Sequence, residues 1–145
     1  MSGITVGIDG SAHSARALEW AIHQAAISHA PVTVLTVHPV PMNAWTGTPM
    51  MLPRDADDQE EAREAAEEMT AKALSQLGDA QPSSVTVRAI SGFPALELIE
   101  ASRTADLMVV GSRGGGGFGK LLIGSVSNQV VHHAHCPVVV VPSER

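Results

Sequence analysis

Leu107–Val141 reads LMVVGSRGGGGFGKLLIGSVSNQVVHHAHCPVVVV. An apolar run, Leu107–Val110, stops at Gly111, and six glycines lie between Gly111 and Gly119. Gly124-Ser125 follows, then a short helical stretch, Val126–His133, and a second apolar run, Val138–Val141. The order is strand, glycine loop, helix, strand. A crossover helix between two strands makes them parallel, and parallel strands are covered on both faces.

The rest of the chain repeats that order. Ile4–Ile8 is a short apolar strand ending at Asp9-Gly10-Ser11. Ala17, Leu18, Ala21, Ile22, Ala25 and Ala26 then fall at helical spacing within Ala12–Ala30, which Pro31 is expected to close. Val32–Val37 is rich in β-branched residues and reads as a second strand. The Val40–Arg54 connector is long for a segment without regular structure. Asp57–Leu77 reads as a helix with an acidic, solvated start and Gly78 as its C-cap. Val85–Ile90 is a third strand, Ser91-Gly92-Phe93-Pro94 a turn, and Ala95–Arg103 a helix. Five strands alternating with four helices predict an α/β fold, a doubly wound parallel sheet with helices on both faces. No linker divides residues 1–145, so a single domain is expected.

Composition narrows the function. The formal net charge is −6, which argues against a general nucleic-acid binder. There is no Tyr, and only two Phe and two Trp, too few for base-stacking platforms. Cys136 is alone, so the chain forms no internal disulfide. MSGITVGIDG lacks the basic and apolar regions of a secretory signal. No apolar run nears the roughly 20 residues of a membrane span. The expectation is a cytoplasmic protein without membrane partners.

Against this acidic background the quoted stretch stands apart. It holds no Asp or Glu, while Arg113 and Lys120 flank its glycines. Glycine lets backbone N–H groups approach a ligand closely. A helix start adds unpaired N–H donors and partial positive charge. Together they make an anion site, most simply for phosphate. Gly114 to Lys120 fits the G-x-x-x-x-G-K phosphate loop, but Leu121 stands where that loop needs Ser or Thr for magnesium. Gly114, Gly116 and Gly119 fit G-x-G-x-x-G by glycine density alone, and a dinucleotide fold carries that fingerprint on its first strand. Both readings are rejected.

The spacing that fits is Gly111-x-x-Gly114, nine residues, then Gly124-Ser125. It resembles the nucleotide-binding signature of the ATP-binding branch of the universal stress protein family. With GIDGS near the start and a length close to one such domain, the resemblance covers the whole chain. It implies a Rossmann-like sheet of order 3-2-1-4-5. Strands 1 and 4 are then neighbours where the winding reverses, and ligands bind at such a switch point. The Asp9-Gly10-Ser11 and Gly111–Gly124 loops would converge there.

The candidate site follows residue by residue. Gly111, Gly114 and Gly124 are assigned to phosphate and ribose through their backbone. Ser125 and Ser127 sit at the helix start, where serines also act as plain N-caps; one hydroxyl is expected to donate to a phosphate oxygen. The N–H of Val126 lies between them. Asp9 would repel bare phosphate, so it must turn to the base and ribose or act through a divalent cation, unless it only satisfies its own turn. Ser11 joins it from the same loop. Val37 is carried over from the resemblance as a backbone contact to adenine. Ile8 and Val110 either line the same pocket or simply pack in the core, and Arg113 either screens phosphate charge or stays solvated. His132, His133 and His135 lack an acid or cysteine partner for an evident zinc site. No catalytic set is assigned, and the metal ligands are left open.

Four functions compete. The first is an ATP-binding regulatory protein of the stress response, a nucleotide-dependent dimeric switch with slow or no hydrolysis, holding ATP with Mg2+ or Mn2+. The second is an enzyme, a weak Mg-dependent ATPase or a nucleotidyl-transfer enzyme. The third is a module for cyclic AMP or AMP, needing no metal. The fourth is a purely structural dimer with an empty loop, against which the intact glycine-serine spacing speaks. The resemblance also implies a homodimer through antiparallel pairing of Val138–Val141.

Overall fold

The computed structural model describes residues 3–39, 45–48, 55–112 and 124–142. Five strands, β1 (Ile4–Ile8), β2 (Pro31–Pro39), β3 (Ser84–Gly92), β4 (Leu107–Gly111) and β5 (Val138–Val141), form one sheet. Its order is β3-β2-β1-β4-β5, and every pairing is parallel. The helices α1 (Ala12–Ser28), α2 (Asp55–Ser75), α3 (Pro94–Ala101) and α4 (Ser125–His133) make the four crossovers. The doubly wound class and the 3-2-1-4-5 order are both as expected.

Strand alternation divides the core in two. Ile4, Val6, Ile8, Val32, Val34 and Val109 pack with Leu18, Ile22 and Ala66 under α1 and α2. Leu35, Val37, Met108 and Val110 pack with Leu98 and Val130 under α3 and α4. The small residue at Gly7 allows this second layer to close. A Cβ there would lie 2.7 Å from Leu98 Cδ2.

Three boundaries differ from the sequence expectation. Pro31 does not close α1 but begins β2. The helix is ended by His29, left-handed at φ 51°, whose N–H reaches the carbonyls of Ala25 and Ala26. The Ala30 N–H closes the same turn onto the Ala25 carbonyl at 2.9 Å, and the His29 ring Nδ1 lies 3.0 Å from the Gln81 carbonyl. Gly78 does not cap α2, which stops at Ser75. Gln76 and Leu77 instead tighten into three-residue turns onto Ala73 and Leu74. Finally, Ser91-Gly92 is not part of the turn. Both residues extend β3, paired with His38 and Pro39.

Candidate functional site

The seam between β1 and β4 opens at its carboxyl end. Their pairing runs from Ile4–Leu107 to Val6–Val109, yet the strands continue to Ile8 and Gly111. The flanking seams stay closed further on: β1 pairs with β2 to Ile8–Thr36, and β4 with β5 to Gly111–Val141. The central crevice is therefore built into the sheet, at the point where the winding reverses.

On one side stands the Asp9–Ser11 turn. Asp9 Oδ1 accepts the Ser11 N–H at 2.9 Å, and Gly10 takes φ +84°, a conformation glycine enters without strain. This bond closes an Asx turn, and Asp9 and Gly10 are both exposed. Ser11 is the N-cap of α1; its Oγ accepts the Ser14 N–H at 3.2 Å. Ser14, buried, donates its own hydroxyl back to the Ser11 carbonyl at 2.9 Å. The S-x-x-S spacing at 11 and 14 carried that signal, although only Ser11 was singled out.

On the other side stands the start of α4. Ser112 N–H donates to the Val141 carbonyl at 2.9 Å, and the Ser112 carbonyl accepts from Gly124 N–H at 2.6 Å. The two stems of the glycine loop are thus pinned together. Gly124 is the N-cap, with φ −60° and ψ 158°. The first bond inside the helix runs from Asn128 N–H to the Gly124 carbonyl at 2.9 Å. The N–H groups of Ser125, Val126 and Ser127 precede it and have no carbonyl partner within the helix. Ser125 is exposed, whereas Ser127 is buried and donates its hydroxyl to the Gly111 carbonyl.

Two helix starts, those of α1 and α4, therefore flank the crevice from opposite faces of the sheet. Neither carries an acid in its first turn, although Asp9 stands just ahead of the α1 cap; the start of α4 has no acid beside it among the described residues. Val37 lies one residue beyond the last β1–β2 pair, at the same edge. Ile8 and Val110 do not share a side-chain cavity, because they belong to the two different cores. Only their backbone reaches the common edge. Arg113, Gly114 and Lys120 lie outside the described residues.

Sequence reasoning missed Ser112, whose backbone joins loop, helix and β5; no side-chain signal marks such a node. It also missed a polar group over β2 and β3. Ser91 Oγ donates to Gln59 Oε1 at 2.8 Å, Gln59 Nε2 donates to the Ala89 carbonyl at 2.8 Å, and His38 Nε2 lies 4.0 Å from Asp58.

The histidines sit elsewhere. His132 and His133 end α4, about 13 Å of helix from its start. His132 Nδ1 lies 2.8 Å from the Asn128 carbonyl. Among the described residues, no three His, Cys, Asp or Glu side chains are grouped to hold a metal. Burial pushes the Cys136 thiol above its ordinary range, which keeps it protonated at neutral pH.

With this geometry in place, relatives can be compared. Residues 1–142 match the universal stress protein family. The chain belongs to the universal stress protein family. A universal stress protein of Mycolicibacterium smegmatis is 37% identical over 139 residues, covering 96% of this chain and 47% of that protein. The chain spans about half the length of the curated relatives it matches. UspA of Lactobacillus plantarum shares the fold, with a TM-score of 0.77 at 20% identity and 96% of each chain covered. A universal stress protein solved in complex with cAMP has a TM-score of 0.68 at 26% identity, covering 98% of this chain and 97% of that one. Among the described residues, no helix of this universal stress protein is long and apolar enough to cross a membrane.

Proposed function

We propose that this chain binds an adenine nucleotide in the β1–β4 crevice and acts as a regulatory switch. The observation that supports it most is the open seam flanked by two helix starts with no acid in the first turn. Three N–H groups at the head of α4 offer a phosphate what it needs. The exposed hydroxyl of Ser125 adds a fourth donor. Gly111 and Gly124 bring backbone close, and Gly114 and Arg113, outside the described residues, are kept as proposed contacts from their place in the motif. Val37, with the ends of Ile8 and Val110, takes the base side with Asp9 and Ser11.

ATP with Mg2+ (or Mn2+) is the ligand proposed. The donor set suits a cation carried in on the phosphates, because Mg2+ keeps several waters and needs only one or two carboxylates. Asp9 is the carboxylate at this edge. We assign no catalytic base or nucleophile, and the reading is of ATP binding with slow or no hydrolysis. The cAMP complex of a relative favours a second reading, a cyclic AMP or AMP module that needs no metal.

Calorimetric titration of nucleotide-stripped protein separates these. The expected result is saturable binding of ATP, strengthened by magnesium and lost in Gly114→Val. Cyclic AMP binding that is indifferent to magnesium and excludes ATP would favour the second reading. No heat with any of the three ligands would remove both.

A further inference from the structure

We propose that Ser127 is a positioning residue, which aims the head of α4 at the nucleotide phosphates without touching them. This rests on the nucleotide reading above. The carry-over from sequence gave Ser127 a possible phosphate contact; the hydrogen bonds around Gly111 assign its hydroxyl differently.

A serine hydroxyl has one proton to donate. Ser127 gives it to the Gly111 carbonyl, inside the fold, with 6% of the residue exposed. The position of that carbonyl matters. Ser112 N–H points to β5, where Val141 accepts it. The Gly111–Ser112 peptide is trans, so its carbonyl points the other way, toward β1 and the open seam. Left bare, this oxygen would present its negative end to the crevice where an anion is to bind. Ser127 occupies it and turns an acceptor facing the site into a support for the helix.

The bond also compensates for the cap. Gly124 has no side chain to hold the first turn of α4, and no side-chain cap bond is formed there. Two other links replace it: Gly124 N–H to the Ser112 carbonyl at the head of the turn, and Ser127 to Gly111 at its third residue. With both ends of the turn fixed to the end of β4, the N–H groups of Ser125, Val126 and Ser127 keep a common direction. Ser125, exposed on the same turn, is the hydroxyl left for the ligand.

The test compares Ser127→Ala, Ser127→Thr and wild type by ATP titration and by amide exchange of the nucleotide-free protein. Ser127→Ala should weaken ATP binding about tenfold, the effect of one lost buried hydrogen bond. Exchange at Ser125–Asn128 should quicken in the free protein, with the remaining sheet amides unchanged. Ser127→Thr, which keeps the hydroxyl, should restore both. Weaker binding with unchanged exchange in the free protein would mean that the hydroxyl acts on the ligand, and would overturn the proposal. Faster exchange with unchanged affinity would overturn it too, by showing a role in stability alone. If Ser127→Ala does not fold, Ser127→Cys supplies a weak donor of similar size, and intermediate values of both readouts are expected. Wild type that binds no adenine nucleotide would remove the nucleotide reading itself, a result seen before any variant is compared.

Discussion

Ser11 shows how much one residue carries at this edge. Its hydroxyl caps α1 and its carbonyl takes both the Ser14 hydroxyl and the Ala15 N–H, at 2.9 and 3.1 Å. Ser11→Ala removes the cap acceptor, and loss of an N-cap side chain costs about 1 kcal/mol. Chemical denaturation should show a lower midpoint with an unchanged slope. An unchanged midpoint would mean that the Ser14 bond holds the turn unaided. At this scale the sequence was legible in part. The helix start after Gly124 could be read from the glycine-serine step before an apolar-periodic stretch, whereas Ser11 was read as a ligand contact and is also the N-cap of α1. Ser127 was not decided by its residue type, since a serine beside a glycine loop looks the same whether it faces ligand or carbonyl; in the fold its hydroxyl donates to the Gly111 carbonyl. His29 was invisible for a related reason. Its left-handed cap is held by backbone bonds that a histidine does not announce in the sequence, whereas the neighbouring Pro31 gives a local but wrong stop signal.

At the scale of elements, legibility followed hydrophobic pattern. β4 and β5 are short apolar runs, β4 ending at Gly111 and β5 lying between Pro137 and Pro142; β1 is mostly apolar, and α1 has a stripe of alanine, leucine and isoleucine. Their ends were recovered to within a few residues. α2 was harder to stop, because the sequence offers Gly78 three residues after the helix has already tightened. Element packing sets a further expectation at Gly7. An alanine there brings its Cβ to 2.7 and 2.9 Å from the two methyls of Leu98, which is itself buried. Gly7→Ala should therefore destabilise by about 1–3 kcal/mol, the range for overpacked cores. Thermal unfolding of Gly7→Ala, Leu98→Ala and the double variant gives the coupling directly. The two changes should fall short of additive, since truncating Leu98 opens the space the new methyl needs. Strict additivity would place the strain elsewhere than between β1 and α3.

The whole molecule has two sheet edges, and they differ. β3 gives its Ala89 carbonyl to Gln59 and carries exposed Thr86 and Arg88. β5 is four valines, three of them half-buried, and it pairs with β4 on its inner side. An apolar edge of this kind is an association site unless covered. The proposed switch follows from the same bonds that close the glycine loop. Ser112 joins Val141 to Gly124, so a nucleotide held at the head of α4 would be linked through these bonds to the end of the strand through which two copies would pair. Any such coupling is reciprocal: if nucleotide favours the dimer, the dimer binds nucleotide more tightly by the same factor. Val139→Glu tests both halves. A charge left unpaired in an interface costs about 3 kcal/mol or more, so dissociation should rise about a hundredfold or more. Sedimentation should show monomer with and without ATP, and circular dichroism should show the fold retained. Titration of that monomer should give weaker ATP binding than wild type at concentrations where wild type is dimeric. A variant that remains a normal dimer would sink the β5 interface. A folded monomer with wild-type ATP affinity would keep the interface and remove the switch.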